Sequence, residues 1–218
     1  MHRLRGWLAV TLGAAALTPF HVHAADLHVR VVDAAGRPLA NAIVYAEPGV
    51  PAPQAKPPKA VVDQVNRQFV PRVSVVQAGT SVYFPNSDNI RHSVYSFSPA
   101  KTFELSLYAG QAAPPVLFDK PGIVVLGCEI HDNMVAWVLV VDTPFHAKSD
   151  MQGRVTLRNL PAGDYGLHAW HEPMRAATTA EPLHVRAGAS PPEVTLKINA
   201  NTASAPAPAM PAMSGMKQ

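Results

Sequence analysis

From residue 25 onward the chain sustains no helical spacing. Its apolar residues come in short runs rich in Val, Ile, Phe and Tyr, each cut off by Gly, Pro, Asn or Asp. A run that short cannot complete an amphipathic helix but suffices for a strand. The expected strands are Leu27–Val32, Ala42–Ala46, Phe69–Val76, Ser81–Phe84, Ser93–Phe97, Val116–Phe118, Ile123–Leu126 and Val135–Val141. A second group follows at Arg154–Arg158, Tyr165–Trp170, Leu183–Arg186 and Glu193–Ile198. Many short strands at this spacing predict an all-β molecule of stacked sheets.

Three segments stand outside that pattern. Residues 1–24 begin with His2, Arg3 and Arg5, continue with an apolar stretch from Gly6 to Leu17, and end in Val22-His23-Ala24. This is the layout of a cleaved export signal, and its apolar part is too short to span a bilayer. The remaining chain is expected outside the cytoplasm, in the periplasm, with no membrane span. Residues 48–59 hold five prolines between Pro48 and Pro58 and read as an extended linker. Residues 199–218, rich in Ala, Pro and Ser without an aromatic residue, read as a disordered tail.

Charge excludes one class of partner. Once Arg3 and Arg5 leave with the signal, sixteen basic residues face fifteen acidic ones. Near-neutrality and the lack of basic runs interleaved with aromatics argue against nucleic acid.

Cys128 is the only cysteine, so no internal disulfide can form. A lone thiol in an oxidising compartment is a liability unless it is buried or bound. Its surroundings are Gly127-Cys128-Glu129-Ile130-His131-Asp132-Asn133-Met134, between two expected strands. A thiolate, an imidazole and a thioether thus share one short loop. Copper cycling between two oxidation states is suited by one thiolate, two imidazoles and a weak axial thioether. The second imidazole must come from elsewhere. His92 is the candidate, at the edge of a strand after the polar turn Asn86-Ser87-Asp88-Asn89.

The arrangement resembles the blue-copper cupredoxins of the amicyanin, plastocyanin and pseudoazurin type. Phe118-Asp119-Lys120-Pro121-Gly122 is similar to the Pro-Gly turn before the cysteine strand in that family. Cys128-x-x-His131-x-x-Met134 has the spacing of its short ligand loop, and Val82-Tyr83-Phe84-Pro85-Asn86 resembles the approach to its first histidine. The resemblance implies a Greek-key β-sandwich over residues 60–143, with one copper ion held by His92, Cys128, His131 and axial Met134. It also implies that Asn86 hydrogen bonds near the cysteine loop. Ser93 stands where the family usually has Asn, Leu126 where an aromatic is common, and Glu129 and Asp132 make the loop acidic. Exported proteins of this layout are often grouped under a methylamine-utilisation label.

A second resemblance frames the first. The stretch Val31–Ala42, with its Asp33-Ala34-Ala35-Gly36-Arg37 turn, and the stretch Ser149–Tyr165 look like the opening and middle of one carboxypeptidase-regulatory-like (transthyretin-like) β-sandwich. The expectation is that 25–47 plus 144–198 build this second sandwich, with the cupredoxin inserted; two sandwiches in sequence is the alternative.

Other readings of Cys128 stay open. An isolated cysteine is commonly a small buried hydrophobe. A Cys128/His131 nucleophilic dyad lacks a recognisable orienting residue, and nothing else marks a catalytic centre. Zinc disfavours Met134, and a binuclear copper centre needs a second cysteine. His28, His146, His168, His171 and His184 read as ordinary positions. The expected role is one-electron transfer, with a partner such as a c-type cytochrome docking at acidic Glu129 and Asp132 beside His131. The alternative is a periplasmic protein that binds Cu(I) and delivers it to an acceptor, with Met210, Met213 and Met216 as further soft ligands. A non-redox binding module is a third reading. The sequence carries no signal for oligomeric state.

Overall fold

In the computed structural model the described residues are 24–50, 57, 59–110, 113–172, 174, 177–178, 181–186 and 191–199. The segments read as export signal and tail fall outside them, apart from Ala24 and Asn199, and so do the tail methionines. All regular elements among the described residues are strands. No helix there is long and apolar enough to cross a membrane.

The chain opens with β1 (Ala25–Val32) and β2 (Ile43–Pro48). Short strands β3 (Ala60–Val61), β4 (Asp63–Val65) and β5 (Gln68–Val70) come next, then β6 (Val73–Gln77) and β7 (Thr80–Tyr83). The middle of the chain supplies β8 (His92–Ser98), β9 (Lys101–Tyr108), β10 (Val116–Phe118), β11 (Gly122–Gly127) and β12 (Val135–Val141). It closes with β13 (His146–Lys148), β14 (Arg154–Leu160), β15 (Gly163–Trp170), β16 (Glu181–Val185) and β17 (Val194–Lys197).

These strands enclose two apolar cores. A five-stranded sheet, β6-β12-β11-β8-β9, covers a three-stranded one, β10-β7-β3. Between them lie Phe84, Val94, Phe118, Val124, Leu126, Val138 and their neighbours, together with Cys128 and Met134. The other core, with Leu27, Val44, Leu157, Leu167 and Leu196, is shared by sheets β14-β1-β17 and β13-β2-β15-β16. Strands from both ends of the chain therefore pair: β1 with β14 and β17, β2 with β13 and β15.

A third cluster joins the two sandwiches. On β12, Ala136, Val138 and Val140 face the first core, while Leu139 and Val141 point the other way, as period-2 alternation requires. There they meet Ile43, Tyr45 and fully buried Trp170 from β2 and β15. Polar links flank the seam. Lys148 Nζ donates to Val73 O at 3.0 Å, and Arg72 pairs with Glu172 and lies 4.9 Å from the Trp137 ring centroid.

One expected strand is split, and β3, β4, β9 and β13 are additional. The run Phe69–Val76 is split into β5 and β6, because Pro71 has no N–H to give a ladder. Strand β9 is additional: Phe103 and Leu105 turn inward while Thr102, Glu104 and Ser106 stay exposed. Strand β13 is also additional, and its three residues are too few to register as a pattern.

Candidate metal centre

The ligand loop owes its shape to the strands that bracket it. Strands β11 and β12 pair antiparallel up to Gly127 opposite Val135, so residues 128–134 must turn between neighbouring strands. The Met134 N–H donates to His131 O at 2.9 Å and closes that turn. Gly127 is required where it stands, since a Cβ there would lie 2.5 Å from the Tyr95 ring. Tyr95 packs into that gap. Its hydroxyl pKa is raised, first by burial and then by the negative charges of Cys128, Asp132 and Glu129.

His92 enters from β8, paired across the ladder with Tyr108. Its ring is fully buried, Cys128 and Met134 are buried, and His131 is half-buried. His92 Nδ1 and His131 Nδ1 are 3.2 Å apart, and Cys128 Sγ is 3.9 Å from the first and 3.8 Å from the second. Of the four expected ligands, three side chains thus converge on one point, and Met134 is buried in the same apolar cluster as Cys128.

These spacings fit one metal ion. With bonds of about 2.0–2.1 Å to nitrogen and 2.3 Å to sulfur, a roughly trigonal ion holds sulfur and nitrogen about 3.8 Å apart. A cation placed there would face one sulfur and two ring nitrogens. The soft sulfur with two imidazoles matches the donor preference of copper.

Two residues outside the expected set organise the ligands. Asp88 Oδ2 lies 2.9 Å from His92 Nε2. A carboxylate can only accept, so Nε2 carries the proton and Nδ1 keeps its lone pair for a metal. The Asp88 carboxyl is held below the usual carboxylate range, chiefly by the backbone N–H of Arg67 and then by His92. Its spacing from His92 gave no signal, because the contact depends on how the loop turns back. Ser93 is the other: its Oγ donates to Cys128 Sγ at 3.8 Å and accepts the Glu129 N–H at 2.9 Å.

The hydrogen bonds of Asn86 lie around the loop that precedes His92. The Asn86 Nδ2 donates to Ile90 O at 2.9 Å and Tyr108 O at 2.8 Å, and its Oδ1 accepts the Asp88 N–H at 3.0 Å. Those bonds fold the loop in front of His92 rather than reach the cysteine loop. Elsewhere, His168 stacks on Tyr45 with ring centroids 4.8 Å apart and lies 3.3 Å from Glu47, while His184 pairs with Asp164.

No protein-family model matches the chain, and no curated protein does. Solved structures do. The copper-containing nitrite reductase NirK from Thermus scotoductus SA-01 is 25% identical over 52% of this chain, with a TM-score of 0.38. That match spans only 28% of the reductase. A reduced amicyanin mutant is 20% identical over 44% of this chain and 99% of its own, with a TM-score of 0.34. Pseudoazurin from Methylobacterium extorquens AM1 is 26% identical over 39% of this chain and 77% of its own, with a TM-score of 0.33.

Proposed function

We propose that the chain is an exported, periplasmic copper protein of blue-copper type that carries one electron at a time. The observation that carries this reading is the convergence of His92, His131 and Cys128, with separations that suit a single ion. Copper would supply the one-electron couple. The chain supplies the rest. His92 and His131 would hold the ion through Nδ1 and Cys128 through its sulfur, with Met134 as a weak fourth ligand. Asp88 fixes the His92 tautomer, and the buried setting excludes water. A β-scaffold that holds donors in place needs little rearrangement when the charge changes. In this reading residues 60–143 form the copper domain, and 25–47 plus 144–198 form the sandwich that hosts it.

The partner docks where the site is nearest the surface. Half-buried His131 is bordered by exposed Ile130 and Asp132 and half-buried Glu129, an apolar spot with acidic flanks. A redox protein with a basic surface, such as a c-type cytochrome, suits it. Adding Cu(II) to the metal-free protein is expected to produce an intense thiolate-to-copper absorption that ascorbate bleaches reversibly. Cys128→Ser should abolish it. In the reaction with such a cytochrome, combined Glu129→Gln and Asp132→Asn changes should flatten the salt dependence. A colourless protein after copper addition overturns the electron-carrier reading. Preference for Cu(I), weakened by changing Met210, Met213 and Met216, would select delivery instead.

A further inference from the structure

The hairpin of β4 and β5 pairs as a two-stranded sheet of its own, apart from the sheets of either sandwich. Asn66 and Arg67 at its tip have positive φ values of 51° and 57°, the turn whose twist suits a two-residue connection. This hairpin lies against the loop that leads into His92 and bonds to it at three successive points. Gln64, fully buried, donates through Nε2 to Pro85 O at 3.0 Å, and its backbone bonds with Pro85 and Ser87. The Asp63 carboxylate accepts from Ser87 Oγ at 2.7 Å and from the Ser87 N–H at 3.2 Å. The Arg67 N–H donates to Asp88 Oδ2 at 2.8 Å, the oxygen that also holds His92 Nε2.

We propose that the β4–β5 hairpin is a clasp on the His92 loop, and that Asp63, acting through Ser87, is a positioning residue that sets how long a metal ion stays bound. The inference rests on the copper reading of the site. Cys128, His131 and Met134 share one loop whose ends are tied by the β11–β12 ladder. His92 comes from another segment, as the first residue of β8, paired with Tyr108, behind a loop that Asn86 folds and the Gln64–Asn86 bridge joins to the hairpin. An ion leaves one ligand at a time, and movement of His92 is one route of loss. His92 is fully buried and can swing away only if residues 86–91 move. The clasp opposes that movement.

Asp63→Ala in the full chain tests this, because Asp63 touches no ligand. In the metal-free protein the amides of residues 86–92 are expected to exchange with deuterium faster than in the wild type. In the copper-loaded protein, release to an excess of chelator should accelerate about fivefold to tenfold, the size that loss of one hydrogen-bonded contact carries. The visible absorption should keep its position, since the bound geometry is unchanged. Ser87→Ala removes the same contact and should give the same acceleration, with no further gain in the double variant. It also stands in if Asp63→Ala fails to fold. Wild-type exchange and release in both variants would overturn the clasp. If the wild type takes up no copper, the copper reading fails, and exchange in the metal-free protein still decides the clasp.

Discussion

Ser93 sits between the two segments that bear the ligands, donating to the Cys128 sulfur and accepting the Glu129 N–H. A hydrogen bond to sulfur draws off charge and is stronger when the thiolate is more negative, which is the reduced state of a copper site. It therefore favours reduction. Ser93→Ala is expected to lower the reduction potential by roughly 40 mV, from a hydrogen bond of about 1 kcal/mol and 59 mV per tenfold for one electron. Protein-film voltammetry would measure it, and an unchanged potential would remove Ser93 from the tuning of the site. The three converging ligands were legible in the sequence because their chemistry is tied to order along the chain. Asp88 and Ser93 were not, because their roles depend on how the 86–91 loop turns back. Asp88 had the look of a turn residue until that loop brought it to His92 Nε2.

Two turns of the flanking sandwich are built alike. Asp33-Ala34-Ala35-Gly36-Arg37 and Asp150-Met151-Gln152-Gly153-Arg154 each use one Asp oxygen to accept two backbone N–H groups. The other oxygen takes the Arg side chain in each. Gly153 has a φ of 72°, and a Cβ there would meet Val31 O at 2.4 Å, so its backbone must stay bare for β1 and the turn to touch. Both carboxyls are held below the usual range, mainly by the N–H of that Arg. Because the folded pKa lies below the unfolded one, near 4, this stabilisation is present above that pH and is lost as pH falls through the folded value. Thermal midpoints should be steady from pH 7 to 5 and drop below pH 4. Asp33→Asn with Asp150→Asn should shrink the drop without removing it, since Asp88 and Asp119 titrate in the same sense. An equal drop in the double variant would contradict the assignment. These turns were readable from sequence spacing. Strand β9 also left a signal, the alternation of Phe103 and Leu105 with polar neighbours, whereas β13 exists only because β2 lies beside it.

The two sandwiches are coupled through Trp170. It is fully buried, donates from Nε1 to Met174 O at 2.9 Å, and packs with Ile43 and Tyr45 against Val73, Leu139 and Val141. Truncating such a residue costs about 3–5 kcal/mol, or roughly 10 °C in a chain of this size. Calorimetry of the wild type is expected to show one transition, and Trp170→Ala should lower it and split it in two. A single unshifted transition would mean that the seam carries no coupling. The seam is also the part of the fold least legible in advance, because both faces of β12 read as one apolar run. A consequence lies in where the chain departs and returns. Strands β2 and β13 are antiparallel neighbours, Tyr45 opposite His146, with the Ala46 N–H bonded to Phe145 O at 2.9 Å. To the sheet that contains them, everything from 49 to 145 is a connection between adjacent strands, and the cost of closing a loop grows only with the logarithm of its length. An ancestor with a tight turn there could have gained the inner module without losing a single pairing. Another module could be grafted at the same two points, provided its outer surface shelters Ile43, Tyr45 and Trp170.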